Sequence, residues 1–251
     1  MLEGSAGNDI IYGFEGNDTI FGGDGQDRLF GDAGDDIIHL QNENKTGDLI
    51  DGDYASGGSG NDKIYGDNVN PNIEYIFGGP GHDIIYAYGG DDEIDGGEGN
   101  DFIRALDGDN EIFGGTGDDD ISVFETAAIQ GTGNNDLDGG EGDDTIVGGS
   151  GDDHIIGGAG DDMLDGKDGD DELEGGAGDD ILKGGDTGAS SSIYQEILRG
   201  GSGDDLMYGG SSSTDLGGIP TGVDRTASNF SGRLYMYGDE GDDELWGKHL
   251  M

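Results

Sequence analysis

Acidic residues recur in pairs at a nine-residue interval in this chain. In the run GDDTIVGGSGDDHIIGGAGDDMLDG (142–166) an aliphatic residue always stands two positions after the second aspartate. The chemistry open to this pattern is narrow. Carboxylates and glycine-rich backbone carbonyls are hard oxygen donors, and the chain has no cysteine, which excludes thiolate metal sites and disulfides. Closely spaced hard oxygens without nitrogen or sulfur suit Ca²⁺ better than any other common ion. His39, His82, His154 and His249 have no pair spacing suited to zinc and read as solvated faces or turn fillers. Residues 134–139, NNDLDG, imitate the start of an EF-hand loop, but Thr145 stands where its bidentate glutamate should fall. No G-x-S-x-G elbow occurs, and the glycine loops lack the helix start and nearby cation that a phosphate cradle needs. The repeat accounts for every potential acid or base, so no enzymatic activity is expected.

Composition alone suggests disorder. Of 251 residues, 58 are Gly, 58 are Asp or Glu and 10 are Lys or Arg, for a formal net charge of −48 with 31% apolar residues. Self-repulsion opposes compaction, and few side chains can fill a core. Nucleic acid and anionic membrane surfaces are poor partners for such a charge, and no nucleic acid is expected; cations are good partners. No apolar run is long enough to span a bilayer, and the start, MLEGSAGNDI, is not a signal peptide.

Periodicity overturns the disorder reading. From Gly4 to Trp246 the chain parses into 22 nonapeptide units, some lengthened by insertions. The eighth position is aliphatic or Met throughout, from Ile11, Ile20, Leu29, Ile38, Ile50 and Ile64 to Met207, Met236 and Leu245. The last three residues of a unit form a minimal strand whose middle side chain points one way. The first six form a turn in which glycines permit positive φ and let carbonyls converge. Two units make one coil, and stacked coils share a narrow aliphatic core. Eleven coils at a strand spacing of roughly 4.8 Å give a rod about 50 Å long. Stacking also brings like-charged turns together, which calls for a neutralising cation.

Units such as GGEGNDFIR (96–104) and GGAGDDILK (175–183) match GGxGxDxUx and resemble the repeats-in-toxin (RTX, hemolysin-type) calcium-binding nonapeptide. The resemblance covers Gly4 to Trp246. It implies an all-β chain folded as a right-handed parallel β-roll, a β-helix solenoid of about 11 coils with two nonapeptides each. It also implies Ca²⁺ between successive turns on one side, held by the sixth-position Asp and by turn carbonyls. In the family, such modules accompany type I secretion from Gram-negative bacteria.

Alternate units fall on opposite sides of such a roll. The even set carries Asp18, Asp36, Asp62, Asp83, Asp101, Asp119, Asp144, Asp162, Asp180, Asp205 and Asp243, all within G-x-x-G-x-D. The odd set includes Asp9, Asp27, Asp92, Asn110, Asp153 and Asp171, and insertions break it elsewhere. The expectation is one unbroken calcium ladder and an opposite side bearing the loops, with a single solenoid over 4–246. Insertions are expected near 40–56, 67–74, 123–131, 185–196 and 210–234. Within the first of these, the placement of GDYAS (52–56) stays open, because it also reads as a lengthened even turn before an intact GGSGND. Residues 247–251 read as a truncated repeat or a C-terminal cap. The candidate metal ligands are the eleven even-side aspartates with Asp9, Asp27, Asp92, Asp153 and Asp171. Roughly one ion per stacked turn pair gives on the order of 10–16 Ca²⁺.

The ninth position of early units is often aromatic (Tyr12, Phe21, Phe30, Tyr65, Phe77, Tyr86) and reads as cover for a thin sheet or as a packing face. An ice-binding array is disfavoured by irregular third positions such as Glu15, Pro80 and Glu240. The functional expectation is a calcium-binding structural module of a secreted or cell-surface bacterial protein that folds on binding many ions outside the cell. The expected partners are calcium ions and the flanking domains of a larger protein. The alternative is a calcium-stabilised module that binds a glycan or protein through loops such as 210–234.

Overall fold

The strand-and-turn periodicity produces an all-β chain. A computed structural model describes residues 1–41, 52–66, 73–126, 129–185, 195–209 and 233–247. Its regular elements are strands, arranged as two parallel sheets of twelve and eleven strands plus a small antiparallel pair, Phe124–Thr126 with Ile129–Gln130. Successive strands alternate between the two large sheets, so each sheet pairs every second strand. This is a parallel β-roll with two units per coil. No helix of the described residues is long and apolar enough to cross a membrane.

Register follows the aliphatic column. In the twelve-stranded sheet Ile85 pairs with Ile103 and Ile103 with Ile121. In the eleven-stranded sheet Ile94 pairs with Ile112 and Ile112 with Leu137. These side chains are fully buried between the sheets. A one-residue slip would turn the whole column outward, so the register is strongly specified. One rung precedes the first nonapeptide: Leu2 pairs with Ile20.

The first expected insertion ends earlier than position 56. Tyr54–Ser59 is a strand of the eleven-stranded sheet, and fully buried Ala55 pairs with Leu29 and Ile76. GDYAS therefore supplies a core rung and does not lengthen a turn. Ala55 takes the core place expected of Ile50, which lies outside the described residues. The cause is local: Tyr-Ala-Ser leads directly into the GGSG turn, at the spacing that every other unit uses. The expected insertions at 67–74, 185–196 and 210–234 likewise end inside structured chain, at Glu74, Gln195 and Arg233. Residues 42–51, 67–72, 127–128, 186–194, 210–232 and 248–251, with the expected cap, lie outside the described residues.

All five interruptions fall on the path from the twelve-stranded to the eleven-stranded sheet, for example between Ile181–Lys183 and Gln195–Ser202. The return path is short at every coil, as between Glu93–Glu98 and Phe102–Asp107. One side therefore bears the loops.

Outside the sheets, the ninth-position aromatics stack at strand spacing. Phe21, His39 and Tyr65 form one column, with centroids 4.7 and 4.9 Å apart, and Tyr12 stacks on Phe30 at 4.8 Å. Such pairs contribute about 0.5–1.5 kcal/mol each beyond area burial. They cover the N-terminal half of a thin structure, and His39 belongs to this column.

Most turns demand positive φ at the second position. Gly97, Gly115 and Gly158 meet the demand with φ between 111° and 116°, whereas Phe14, Asp32, Tyr88 and Lys167 hold φ of 73–77°. A side chain in this region costs roughly 1–2 kcal/mol. Phe14 is 67% exposed, so its burial contributes little. Phe14→Gly is expected to stabilise the calcium-loaded protein by about 1 kcal/mol, read as a higher urea midpoint. An unchanged or lower midpoint would show that the stacking of Phe14 on Tyr12, with ring centroids 5.9 Å apart, outweighs the strain.

Candidate metal centre

Each turn leaves one backbone N–H at its sixth position without a partner in its own coil. The next coil supplies the acceptor. On the even side the amide of Asp18 donates to Oδ1 of Asp36 at 2.7 Å, and that of Asp36 donates to Asp62 at 2.6 Å. The chain of bonds runs on through Asp83, Asp101, Asp119, Asp144, Asp162 and Asp180 to Asp205 and Asp243. Ten links join all eleven even-side aspartates.

That ladder uses one oxygen of each carboxylate. The second, Oδ2, is buried and accepts no hydrogen bond at Asp36, Asp62, Asp83, Asp101, Asp119, Asp144, Asp162, Asp180 and Asp205. An unpaired buried carboxylate is costly, and the same orphan oxygen recurs nine times along this side. The glycine at the first position leaves open space beside that oxygen. A Cβ built on Gly96 would lie 2.6 Å from Asp101 Oδ2 and 2.5 Å from the Gly114 carbonyl oxygen. A carboxylate and a carbonyl from successive coils thus converge on one small volume. Every complete even-side unit has glycine there, from Gly13 and Gly31 to Gly200 and Gly238. Among the described residues no group of three or more His, Asp or Glu gathers at one point, so carbonyls have to complete the shell. Ca²⁺ accepts such mixed oxygen shells.

Burial raises these carboxyl groups. Desolvation lifts Asp62, Asp83, Asp119, Asp144, Asp162 and Asp180 to about 7 and Asp101 to about 6, despite the amide each accepts. Charges on neighbouring rungs add to the rise, as Asp83 and Asp36 do at Asp62. Asp36 and Asp205 move upward for the same reasons.

The odd side is more continuous than expected. Asp9 donates its amide to Asp27, and Asp27 donates to Asp53. A second run joins Glu74, Asp92, Asn110, Asn135, Asp153 and Asp171 through bonds of 2.9–3.1 Å. Asp53, Glu74, Asn135 and Glu196 occupy sixth positions that motif reading missed, because insertions interrupt the units that contain them. A signal existed for three of them: Glu74, Asn135 and Glu196 each stand two residues before a core aliphatic, Ile76, Leu137 and Leu198.

Chemistry divides the odd ladder. Asn110 Nδ2 donates to Asn135 Oδ1 and to the Gly108 carbonyl, and Asn135 Nδ2 donates to Asp153 Oδ1 and to the Gly133 carbonyl. Amide N–H groups there supply what a cation supplies elsewhere. Asp153 Oδ2 accepts from the Gly149 amide at 2.9 Å and is not an orphan. The first position also changes: buried Leu40, Ala87, Ala105 and Val123 replace the glycines of the Asp53, Asp92, Asn110 and Asn135 turns. Their Cβ atoms stand where the even side leaves room. Asp92 keeps a buried, unbonded Oδ2 beside this methyl, and Asp171 keeps one beside Gly166. Asn110→Asp is expected to cost about 2 kcal/mol at saturating calcium, because it removes two donor bonds and buries a charge. Urea unfolding checks this, and a gain in stability would show that the turn admits a cation.

Fifth-position side chains form an outer ladder of opposite polarity. The amide of Asp161 donates back to Asp143 Oδ1, and that of Asp179 donates to Asp161 Oδ1, both at 2.9 Å. His82 belongs to it, with Nδ1 accepting from the Asn100 amide at 2.7 Å. This explains the paired aspartates: the inner one carries the buried orphan oxygen, and the outer one closes a backbone bond in water.

Stacked parallel turns that align carboxylates and carbonyls on buried cradles define a β-roll with a repeated set of hard oxygen donors. The RTX calcium-binding nonapeptide repeat, in a form of four copies, matches residues 1–29, 12–43, 50–68, 70–103, 95–122, 129–164, 165–187 and 194–213. The chain belongs to this family, and its repeats bind multiple Ca²⁺ ions as a structural module. No curated protein matched the chain.

Proposed function

We propose that this chain is the calcium-dependent folding module of a larger secreted or cell-surface bacterial protein. It is unfolded where calcium is scarce and folds outside the cell. The eleven even-side aspartates bind about ten ions between successive turns, at roughly one per turn pair. On the odd side Asp9, Asp27 and Asp171 extend the set. The observation that carries this reading is the column of nine buried Oδ2 atoms without partners. Ten Ca²⁺ would offset twenty of the 48 net negative charges. An ion that binds only the folded chain adds RT ln(1 + [L]/Kd) to stability, about 2.7 kcal/mol at a hundredfold excess over Kd. The test is far-UV circular dichroism of EDTA-stripped protein titrated with Ca²⁺, with Mg²⁺ as the control. A cooperative coil-to-β transition with Ca²⁺ alone is expected, because Mg²⁺ demands a tight octahedral shell and dehydrates reluctantly. A β spectrum untouched by chelation would overturn the proposal.

A further inference from the structure

The middle of the odd side closes without a cation. Buried Ala87, Ala105 and Val123 fill the first positions of three consecutive turns, those of Asp92, Asn110 and Asn135. Asn110 Oδ1 accepts from the Asp92 amide at 3.0 Å, and Asn135 Oδ1 accepts from the amide and Nδ2 of Asn110 at 3.1 and 3.0 Å. Asp153 Oδ1 accepts from the amide and Nδ2 of Asn135 at 2.9 and 2.7 Å, and its Oδ2 accepts from the Gly149 amide. The two Nδ2 groups also donate to the Gly108 and Gly133 carbonyls, both at 3.1 Å. The same coils hold a cation of their own on the outer face of the twelve-stranded sheet. The Arg104 guanidinium lies 3.7 Å from the Phe102 ring centroid, pairs with Asp120 at 3.0 Å and donates to the Ile103 and Asp120 carbonyls. Toward both ends, buried and unbonded oxygens return on this side, at Asp27, Glu74 and Asp92 and again at Asp171.

We infer that the coils around Asn110 and Asn135 are where folding starts: a metal-independent seam from which the calcium-dependent coils propagate toward both ends. The inference rests on the calcium-dependent folding proposed above and goes beyond it, because it gives that folding an origin and an order. In a solenoid each coil touches only its neighbours, so folding can start at any pair of coils and spreads from the pair that forms at least cost. Before ions are bound, a pair with aspartates in both of its turns sets like charges against each other on both sides. Around Asn110 and Asn135 that conflict is confined to the even side, at Asp101, Asp119 and Asp144. The odd side there brings amides and methyl groups together instead. Its aliphatic first positions also bury apolar surface that glycine turns lack.

The test is pulse-labelling hydrogen exchange, read by mass spectrometry, as the full chain in EDTA is shifted rapidly to saturating calcium. Residues 102–121 and 136–156 are expected to gain protection first, and residues 10–30 and 234–246 later. Ala105→Gly combined with Asn110→Asp gives the central turn the glycine and aspartate of an ordinary rung, and it is expected to abolish that lead. Two conservative core changes supply a second readout should the double variant not fold. Ile112→Val, in the centre, is expected to slow folding about threefold, whereas Ile20→Val leaves the folding rate unchanged and speeds unfolding by a similar factor. Both side chains are fully buried. Simultaneous protection of all coils, or protection that starts at either end, would overturn the inference. So would a lead that persists in the folded double variant, or equal slowing of folding by the two core changes. A chain already protected in EDTA would overturn calcium-dependent folding and this inference together, which sets the two failures apart.

Discussion

In EDTA, acidification from pH 8 to pH 5 will fold the chain without any metal. The sign follows from the raised carboxyl groups. Asp62, Asp83, Asp119, Asp144, Asp162 and Asp180 stand at about 7 in the folded chain, against about 4 for an aspartate in an open chain. Between these values the folded state binds more protons than the unfolded one, so stability rises as pH falls. Their contribution is fully present below about pH 4 and is lost as pH rises through about 7. A proton on Oδ2 removes the buried charge that Ca²⁺ otherwise neutralises, and it lowers the self-repulsion of a chain with net charge −48. Far-UV circular dichroism in EDTA across this range should show β structure appearing cooperatively, with uptake of several protons per molecule. The same competition makes calcium binding weaken as pH falls. Ellipticity that stays flat from pH 8 to 5 would mean that the buried carboxylates are not what holds the metal-free chain open.

The second large effect is steric. Gly96→Ala places a methyl 2.5 Å from the Gly114 carbonyl oxygen and 2.6 Å from Asp101 Oδ2. These are the two oxygens that converge on one even-side cradle near the middle of the ladder. The variant is expected to lose one ion and about 3 kcal/mol at calcium a hundredfold above Kd. Calorimetric titration and urea unfolding at fixed calcium measure the two losses. The reciprocal change is Ala87→Gly, which opens the cradle beside the buried, unbonded Oδ2 of Asp92. It should cost about 0.5–1 kcal/mol without calcium, the ordinary penalty for Gly. It should gain an ion with calcium. If Gly96→Ala keeps all its ions, the carbonyl and the carboxylate do not share one cation.

These two substitutions separate what was legible in sequence from what was not. The family resemblance implied a parallel roll, and the nine-residue period, the aliphatic eighth position and the G-x-x-G-x-D turns specify two units per coil and the loop-bearing side. Each rests on local spacing, and spacing survives in one dimension. The even-side aspartates were legible for the same reason. GDYAS was not, because Ala55 is a weak hydrophobic signal and becomes core only once Leu29 and Ile76 flank it.

The odd side was misjudged because a ladder is a relation between coils. Glu74 and Glu196 lack the glycine frame in sequence, and Asn135 follows Gly131 and Gly133 but carries an amide, yet stacking carries all three to the same column. Whether a rung needs metal depends on atoms 18 or more residues apart. An asparagine amide closes the Asn110–Asn135 rung, a methyl fills the Ala87 cradle, and two free oxygens remain on Glu196. The sequence by itself thus determined the repeat, its strand-and-turn alternation and its demand for a hard cation, since these follow from residue type and period. Only the tertiary structure decided which turns keep an open cradle and a buried unpartnered oxygen, because those properties arise where one coil meets the next.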